Sequence, residues 1–522
     1  MITGQNFIGK SPASTGSKNL TSYIPASGEA FKEVFVEATE KEVNEAVGLA
    51  VKAFKAYRKK SSTERANFLR AIAKNIMDLD HVLVDRAMAE TALPEGRIQG
   101  ERGRTCNQLN AFADIIEEGS WVNARIDTAI PDRQPIPKPD LRKMEMPIGP
   151  IAVFGAGNFP LAFSTAGGDT ASALAAGNPV IVKGHESHLG TNELVSWAIL
   201  KAAEETGMPD GVFSMVNGGI SVGQQLVKDE RIKAVGFTGS FRGGRALMDS
   251  AAARKNPIPV YAEMGSTNPV IAFPEKLTQE AAVLAQTLAS SVTLGVGQFC
   301  TSPGLLLAIK SEALDAFKAE LATALSSTPK GVMLNESIGK SYERTGNEVR
   351  SHQAVTSSSE KIEAGAAATV SVSGADFMAN PELHHEVFGP FIIVVECADQ
   401  SELSQVVDAL DGQLTGSILA TDSDLVNYEE VINSLREKVG RIIYNGMPTG
   451  VEVCPAMHHG GPYPSSSNGR YTSVGYDAIT RFTRPVAFQS WPNSVLPEEL
   501  KDSNPKGISR LVNGELTNKA IE

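Results

Sequence analysis

Cysteine is scarce in this chain, with four residues in 522, at positions 106, 300, 397 and 454. None lies close to another and no C-x-x-C occurs, so neither a zinc site nor a disulfide framework is indicated. So few thiols in a long chain fit a reducing compartment. Positive charge is short as well: 48 Lys and Arg face 60 Asp and Glu, a net charge of −12. That argues against a nucleic-acid surface and says nothing of fold. No uninterrupted apolar run of about 18 residues appears, which speaks against a membrane span. Met1–Ser17 lacks an apolar core of signal-peptide length. The expectation is a cytoplasmic protein. Neither an internal repeat nor a low-complexity segment is present. Single cores rarely grow past roughly 250–300 residues, so this length predicts more than one domain.

What is present reads in order. Residues 1–38 hold short β-type runs, Leu20–Ile24 and Glu33–Val36 among them. Thr39 with Glu42, and Ser61 with Glu64, both match the capping box that starts a helix. Val43, Val47, Ala50, Val51 and Phe54 give the first of these helices an apolar stripe. Phe68, Leu69, Ile72 and Ile76 do the same for the second. A further helical region is expected over roughly 81–118. From Thr128 to Pro147 there are five prolines, which disfavour a central strand and predict an edge hairpin or a linker.

From Pro150 onward strands and helices alternate. Strands are expected near 151–154, 180–183, 212–216, 234–238 and 260–263, with helices at 162–176, 192–205, 222–227 and 243–253 between them. Such alternation predicts an α/β fold with a doubly wound, mainly parallel sheet. A weaker set follows from 270 to about 445, with helices expected at 277–292, 311–326, 401–410 and 423–438, and strands at 305–309, 391–396, 416–420 and 441–444. Residues 446–475 are rich in Gly, Pro, Ser and His and read as an ordered loop system. The last stretch is polar and reads as a tail.

Chemistry concentrates at Gly295-Val296-Gly297-Gln298-Phe299-Cys300-Thr301-Ser302-Pro303-Gly304. Cys300 falls between an expected helix and a strand, where functional residues collect on a rigid scaffold. A free cysteine is more often a small buried hydrophobe than a nucleophile, so the segment alone decides nothing. Gly155-Ala156-Gly157-Asn158-Phe159-Pro160 begins like a dinucleotide fingerprint. Pro160 replaces the glycine that lets helix and strand approach, so the ordinary fingerprint is rejected. Asn158 then stands at a strand's carboxyl end, where open α/β sheets place their sites. Phe237-Thr238-Gly239-Ser240 ends one strand and opens a helix, a position that offers N–H groups to an anion. Glu263 and Glu386 are candidate carboxylates. The pairs His384-His385 and His458-His459 have no metal-site spacing and read as structural or exposed, so no metal is expected. His185 and His188 are given no ligand role.

Taken together, these segments resemble the aldehyde dehydrogenase superfamily. The matches fall in the family's order: Asn158-Phe159-Pro160, Lys183, Phe237-Thr238-Gly239-Ser240, Glu263-Met264-Gly265, Gly297-Gln298-Phe299-Cys300 and Glu386-Val387-Phe388-Gly389-Pro390. Ser266 departs from the family's usual glycine, which puts only local packing in doubt.

The resemblance implies a Rossmann-type cofactor domain at 1–127 and 148–264, and an α/β catalytic domain at 265–457. It also implies a small β oligomerisation element at 128–147 and 476–492, with residues 493–522 as the tail. It implies Cys300 as nucleophile, Asn158 with the Cys300 N–H as oxyanion donors, and Glu263 as the base that activates water. Lys183, Gly239, Ser240, Glu386 and Phe388 would hold the coenzyme, and Phe159, Phe163 and Phe299 would line a substrate tunnel. An acylating enzyme that passes its thioester to coenzyme A is the competing chemistry, and a non-catalytic protein of the same fold is the competing class.

Phe159–Thr170, Thr449–Cys454 and Met457–Pro464 further resemble a bacterial subgroup. Its members oxidise 2,5-dioxovalerate (α-ketoglutaric semialdehyde) or, with NADP, long-chain aldehydes. The first substrate is expected here, in a homodimer or homotetramer. Relatives in the subgroup point to NADP. Glu186, three residues past Lys183, is placed to accept bonds from ribose hydroxyls and points to NAD. Both coenzymes are expected to work, with a lean to NAD.

Overall fold

The computed structural model describes residues 2–357 and 359–521. Both capping boxes are formed. Thr39 opens the helix Glu40–Tyr57 and Ser61 opens Ser62–Asp78, each with reciprocal bonds to its glutamate. The region expected as one helix is two, Asp80–Thr91 and Glu95–Glu118. Ala92 turns left-handed at φ 55° and ends the first, and Pro94 starts the second. The Ser62–Asp78 and Glu95–Glu118 helices pack on each other through Phe68, Leu69, Ile72, Leu109 and Phe112, all buried.

The alternating region forms one sheet in the order 260–263, 234–238, 151–154, 180–183, 213–216, 6–8, 11–13. The first five strands run parallel, 6–8 is antiparallel to 213–216, and 11–13 is antiparallel to 6–8. The chain leaves strand 151–154 toward one edge and later fills its other side. The crevice beyond the carboxyl ends of 151–154 and 234–238 is therefore the topological switch point, where such sheets bind ligands. The helix expected from Ala162 starts at Gly168 instead, with the N-cap at Gly167. Residues 155–167 are thereby left as a buried loop above the sheet.

The second sheet has the order 355–357, 368–373, 391–397, 305–309, 270–272, 413–419, 439–444, all parallel except its first strand. Sequence reading did not identify strands 355–357 and 368–373 or the helices Glu336–Arg350 and Gly374–Ala379.

The proline-rich window gives a different result from the one expected. Strand Leu141–Pro147 is central in a five-stranded sheet, between Thr483–Gln489 and Arg125–Asp127. Four of the five prolines lie in the loop before it, and Pro147 closes it. The expected C-terminal tail is a correction. Arg510–Val512 and Glu515–Thr517 are strands of this same sheet, and Arg510 is fully buried. The Arg510 guanidinium donates to the backbone carbonyls of Glu499, Asp502 and Lys519, which fixes the segment alongside a small apolar core of Ile126, Met144, Leu496, Leu500 and Ile508.

Candidate active site

Cys300 follows the helix Pro274–Thr293 and precedes the strand Leu305–Ile309. The backbone reaches it through left-handed residues, with φ of 58° at Gly295 and Val296 and 65° at Gly297. For β-branched Val296 this is a strained conformation, of the kind held only where surroundings over-determine it. Gly297 is obligatory: a Cβ there would lie 2.3 Å from the carbonyl carbon of Gly389. The cysteine loop is thus locked against the segment that carries Glu386. Asn268 Nδ2 also donates to the carbonyls of Cys300 and Ser302, at 2.9 Å each.

Glu263 ends its strand and is buried, with 4% of its surface exposed. Its Oε1 accepts from His459 Nε2 at 2.9 Å, and its Oε2 accepts from Ser473 Oγ. The same His459 nitrogen lies 3.5 Å from Cys300 Sγ. Ligand-type atoms of Glu263, Cys300 and His459 all fall within 4.8 Å of one another. His459 corrects the sequence reading. It is not exposed: 1% of its surface is accessible, and its ring lies between Glu263 and Cys300. Adjacent histidines carry no periodic signal. The one available clue was their position in a loop rich in Gly, Pro and Ser.

Burial pushes the Glu263 carboxyl up, but the charge and bonds of His459, Ser473 and Cys300 outweigh it and hold Glu263 below the usual carboxylate range. An ionised Glu263 only accepts, so the proton on His459 Nε2 is the donor of that bond. Cys300 is driven the other way. Burial and the Glu263 charge raise its thiol well above the ordinary value, and Arg104 only partly offsets them. The resting pair is thiol beside carboxylate.

Asn158 Nδ2 donates to the carbonyl of Gln298 at 2.9 Å, which brings the Asn158 turn against the cysteine loop. His188 Nε2 meets the carbonyl of Ala156 at 3.0 Å, and a Cβ on Gly157 would lie 2.7 Å from the His185 ring. These two histidines brace the turn. Phe159, Phe163 and Phe299 are buried together and pack edge to face, with centroids 5.2 Å and 5.4 Å apart. Ser266, where the family's glycine is replaced, is buried and bonded. Its hydroxyl donates toward Gln413 Oε1 at 2.8 Å and accepts from Leu414 N, tying the loop after Glu263 to the second sheet.

The remaining candidates fall at the carboxyl ends of first-sheet strands and in the segment around Glu386. Lys183 ends its strand, with Nζ 3.5 Å from Oε1 of exposed Glu186. Burial lowers the Lys183 ammonium, and the charges of Glu186 and Glu37 oppose that. Ser240 caps the helix Phe241–Ala252 by accepting from Gly243 N, and Gly239 N donates to the Glu263 carbonyl. What this helix start leaves for an anion is its first-turn N–H groups. Glu386 and Phe388 line one cavity with Ser302 and Gly297. A Cβ on Gly265 would lie 2.4 Å from Glu386 Oε2, so the glycine makes room for that carboxylate. Burial pushes Glu386 up to about 8, against one bond from the Ser266 backbone.

A doubly wound sheet whose edge strand ends at Glu263, with Cys300 and His459 gathered on that carboxylate where the chain passes to a second, mainly parallel sheet, marks an α/β protein with an enclosed thiol–histidine–carboxylate site. Residues 12–487 match the aldehyde dehydrogenase family, and the chain belongs to that family. It is 48% identical to α-ketoglutaric semialdehyde dehydrogenase 2 of Azospirillum brasilense, over 98% of this chain and 99% of that one. It is 45% identical to the α-ketoglutaric semialdehyde dehydrogenase of Acinetobacter baylyi, over 99% and 98%. In fold it is similar to methylmalonate-semialdehyde dehydrogenase from Oceanimonas doudoroffii, with TM-score 0.79 at 20% identity over 94% of this chain and 99% of that one. It is also similar to a Thermus 1-pyrroline-5-carboxylate dehydrogenase with bound NAD, with TM-score 0.78 at 19% identity over 94% and 93%.

Proposed function

We propose that this aldehyde dehydrogenase oxidises 2,5-dioxovalerate to 2-oxoglutarate through a thioester on Cys300. Near-full-length identity of 48% to an enzyme of that activity carries the reading. A nicotinamide coenzyme fits the residues present. The Lys183 ammonium stands at the carboxyl end of the strand next to 151–154, the Phe241–Ala252 helix offers first-turn N–H groups, and Gly265 leaves room for Glu386. The coenzyme, when bound, accepts the hydride that the substrate carbon loses. We read residues 1–127 with 148–264 as its domain and 265–457 as the catalytic one.

Glu263 takes the Cys300 proton, and the thiolate adds to the aldehyde carbon. The Asn158 amide and the Cys300 N–H stabilise the oxyanion. Once the thioester has formed, Glu263 draws a proton from water, which attacks the acyl carbon and frees Cys300. Between these two tasks Glu263 passes the Cys300 proton to solvent and returns to the carboxylate, the form that the His459 bond favours, and the proton it then draws from water goes to the departing Cys300 thiolate. NAD is favoured over NADP because Glu186 and Glu37 both lie near Lys183. The five-stranded sheet, with Trp491, Val495 and Leu516 exposed around it, is the oligomerisation surface.

The test is coenzyme reduction with 2,5-dioxovalerate and with a long-chain aldehyde, each with and without coenzyme A. Turnover of 2,5-dioxovalerate without coenzyme A is expected. Preference for the long-chain aldehyde, or a requirement for coenzyme A, overturns the reading.

A further inference from the structure

The helix Glu95–Glu118 turns one stripe toward this site. Arg97, Glu101, Arg104 and Gln108 recur at three- and four-residue spacing, which puts them on one helical face. Two of the four have clear local work. Glu101 Oε1 accepts from Leu161 N and Ala162 N at 2.9 Å and 3.0 Å, fixing the loop below the aromatic cluster. Arg97 pairs with Glu101 at 3.3 Å and lies over the rings of Phe159 and Phe299, at 4.3 Å and 4.7 Å.

Arg104 and Gln108 have no such account. Arg104 Nε and Nη2 and Gln108 Nε2 are buried, without a hydrogen-bond partner among the described residues. A guanidinium taken from water without an anion is costly, and unpartnered buried donors need an explanation. Both side chains border the reacting groups. The Arg104 guanidinium sits over the Phe163 ring, 5.1 Å from its centroid. That centroid is 6.2 Å from the centroid of His459, whose Nε2 is 3.5 Å from Cys300 Sγ. A Cβ on Gly168 would lie 2.8 Å from Gln108 Nε2 and 3.1 Å from the carbonyl of Ser473, so Gln108 abuts the residue that holds Glu263. Burial lowers the Arg104 guanidinium, and its interactions with Cys300, Glu101 and Glu263 oppose that, which places Arg104 within reach of the reacting groups.

We propose that Arg104, assisted by Gln108 one turn along, is the binding site for the carboxylate at the far end of the substrate. The proposal rests on the semialdehyde reading above. The substrate it fits has a reacting aldehyde at one end, an anion at the other and a short chain between. Phe159, Phe163 and Phe299 cover the chain, and the planar guanidinium takes the carboxylate through two parallel bonds. An aldehyde ending in a methyl group leaves Arg104 buried and unpaired. A polar subsite discriminates through that cost more strongly than an apolar pocket does through size.

The test compares kcat/KM for 2,5-dioxovalerate with that for pentanal. In the wild type the ratio is expected to be large. Arg104→Met keeps an apolar side chain on Phe163 and should lower the ratio by about 100-fold, mostly through KM for 2,5-dioxovalerate. Arg104→Lys restores a charge without the fork and should recover part of the ratio. Gln108→Leu leaves the charge in place and should lower the ratio less. A ratio unchanged in Arg104→Met, because both substrates are lost equally or neither is affected, overturns the carboxylate site while the substrate reading stands. If that variant does not fold, an unchanged ratio in both Arg104→Lys and Gln108→Leu overturns it instead. A wild-type ratio near one removes the substrate reading, and the carboxylate site with it.

Discussion

Glu263 and Glu386 are two carboxylates that both act on the charge of Cys300, and they are held in opposite states. Glu263 has two side-chain donors, His459 and Ser473, and stays below the usual carboxylate range. Glu386 has one backbone donor from Ser266 and is pushed up to about 8. Burial opposes ionisation of both, so it does not separate them. The supply of donors does. On the roles proposed above, the carboxyl that acts as a base is the one given side-chain donors, and the one that accepts a bond from a ligand is left with few. The comparison can be broken from either side.

The largest effect removes the group both carboxylates act on. Cys300→Ala should lower aldehyde oxidation by roughly 1000-fold or more, because the covalent route is lost. Coenzyme affinity, measured by fluorescence titration, should stay within a few-fold of wild type. Substantial remaining turnover would mean another group is the nucleophile. Glu263→Gln comes next, with steady-state turnover down by about 100- to 1000-fold. If Glu263 serves mainly in hydrolysis, a burst of reduced coenzyme should precede the slow phase. Loss of the burst as well would place its main task at Cys300 activation.

His459→Gln sharpens the comparison by making Glu263 more like Glu386. Removing the histidine withdraws the charge and bond that lower the Glu263 pKa, so that pKa rises. The base is then protonated over a wider acid range. The acid limb of the kcat/KM profile should move to higher pH, and once it passes neutrality each further pH unit lowers activity at pH 7 by about 10-fold. An acid limb in the same place, with activity merely scaled down, would assign His459 a packing role.

The two carboxylates also differ in how they were found. Each sits in a local motif, and the motifs fall in a recognisable order, so both could be read from sequence. Their protonation could not, because the donors that set it come from far along the chain. His459 and Ser473 lie about two hundred residues past Glu263, in a loop without periodicity. The fold divides the same way. The strands from 151 to 263 are continuous apolar runs, and reading them as a parallel sheet succeeds. Strand Ala368–Ser373 alternates alanine, valine, threonine and serine, too little apolar surface to stand out. Helix Glu336–Arg350 buries Gly339, Tyr342, Gly346 and Val349, a stripe half made of glycine. The C-terminal strands are fixed by the buried hydrogen bonds of Arg510, which in a sequence looks like any solvated arginine.

Glu386→Gln tests the other carboxylate through stability. A carboxyl whose pKa rises on folding binds more protons in the folded state than in the unfolded one. Stability is therefore lost as pH rises through the window from the ordinary value, near 4.5, to about 8. Glu386→Gln removes that loss. Without coenzyme, the variant should match wild type near pH 5 and be more stable by about 1–3 kcal/mol above pH 8, allowing for partial exposure. Thermal unfolding of both proteins across this range measures it. A constant difference at all pH values would mean that Glu386 ionises normally.

The smallest effect extends the comparison to the carboxylates beside Lys183. Glu186 is exposed and 3.5 Å from Lys183 Nζ, a setting open to solvent where that of Glu263 is enclosed. Glu37 lies close by, accepting from Lys18 and from Gly219 N, and also contributes to the charge around Lys183. A 2′-phosphate beside Lys183 would meet both negative charges, whereas ribose hydroxyls can donate to them. Because solvent screens Glu186, each charge is worth little, and both coenzymes should support turnover. Glu186→Ser should raise kcat/KM for NADP relative to NAD by roughly 3- to 10-fold, less than any active-site change. Adding Glu37→Gln should raise it further, because that charge is held in place by its bonds rather than free to swing away. A wild-type enzyme that strongly prefers NADP, with the preference unmoved by either substitution, would show that both carboxylates turn away from the ribose.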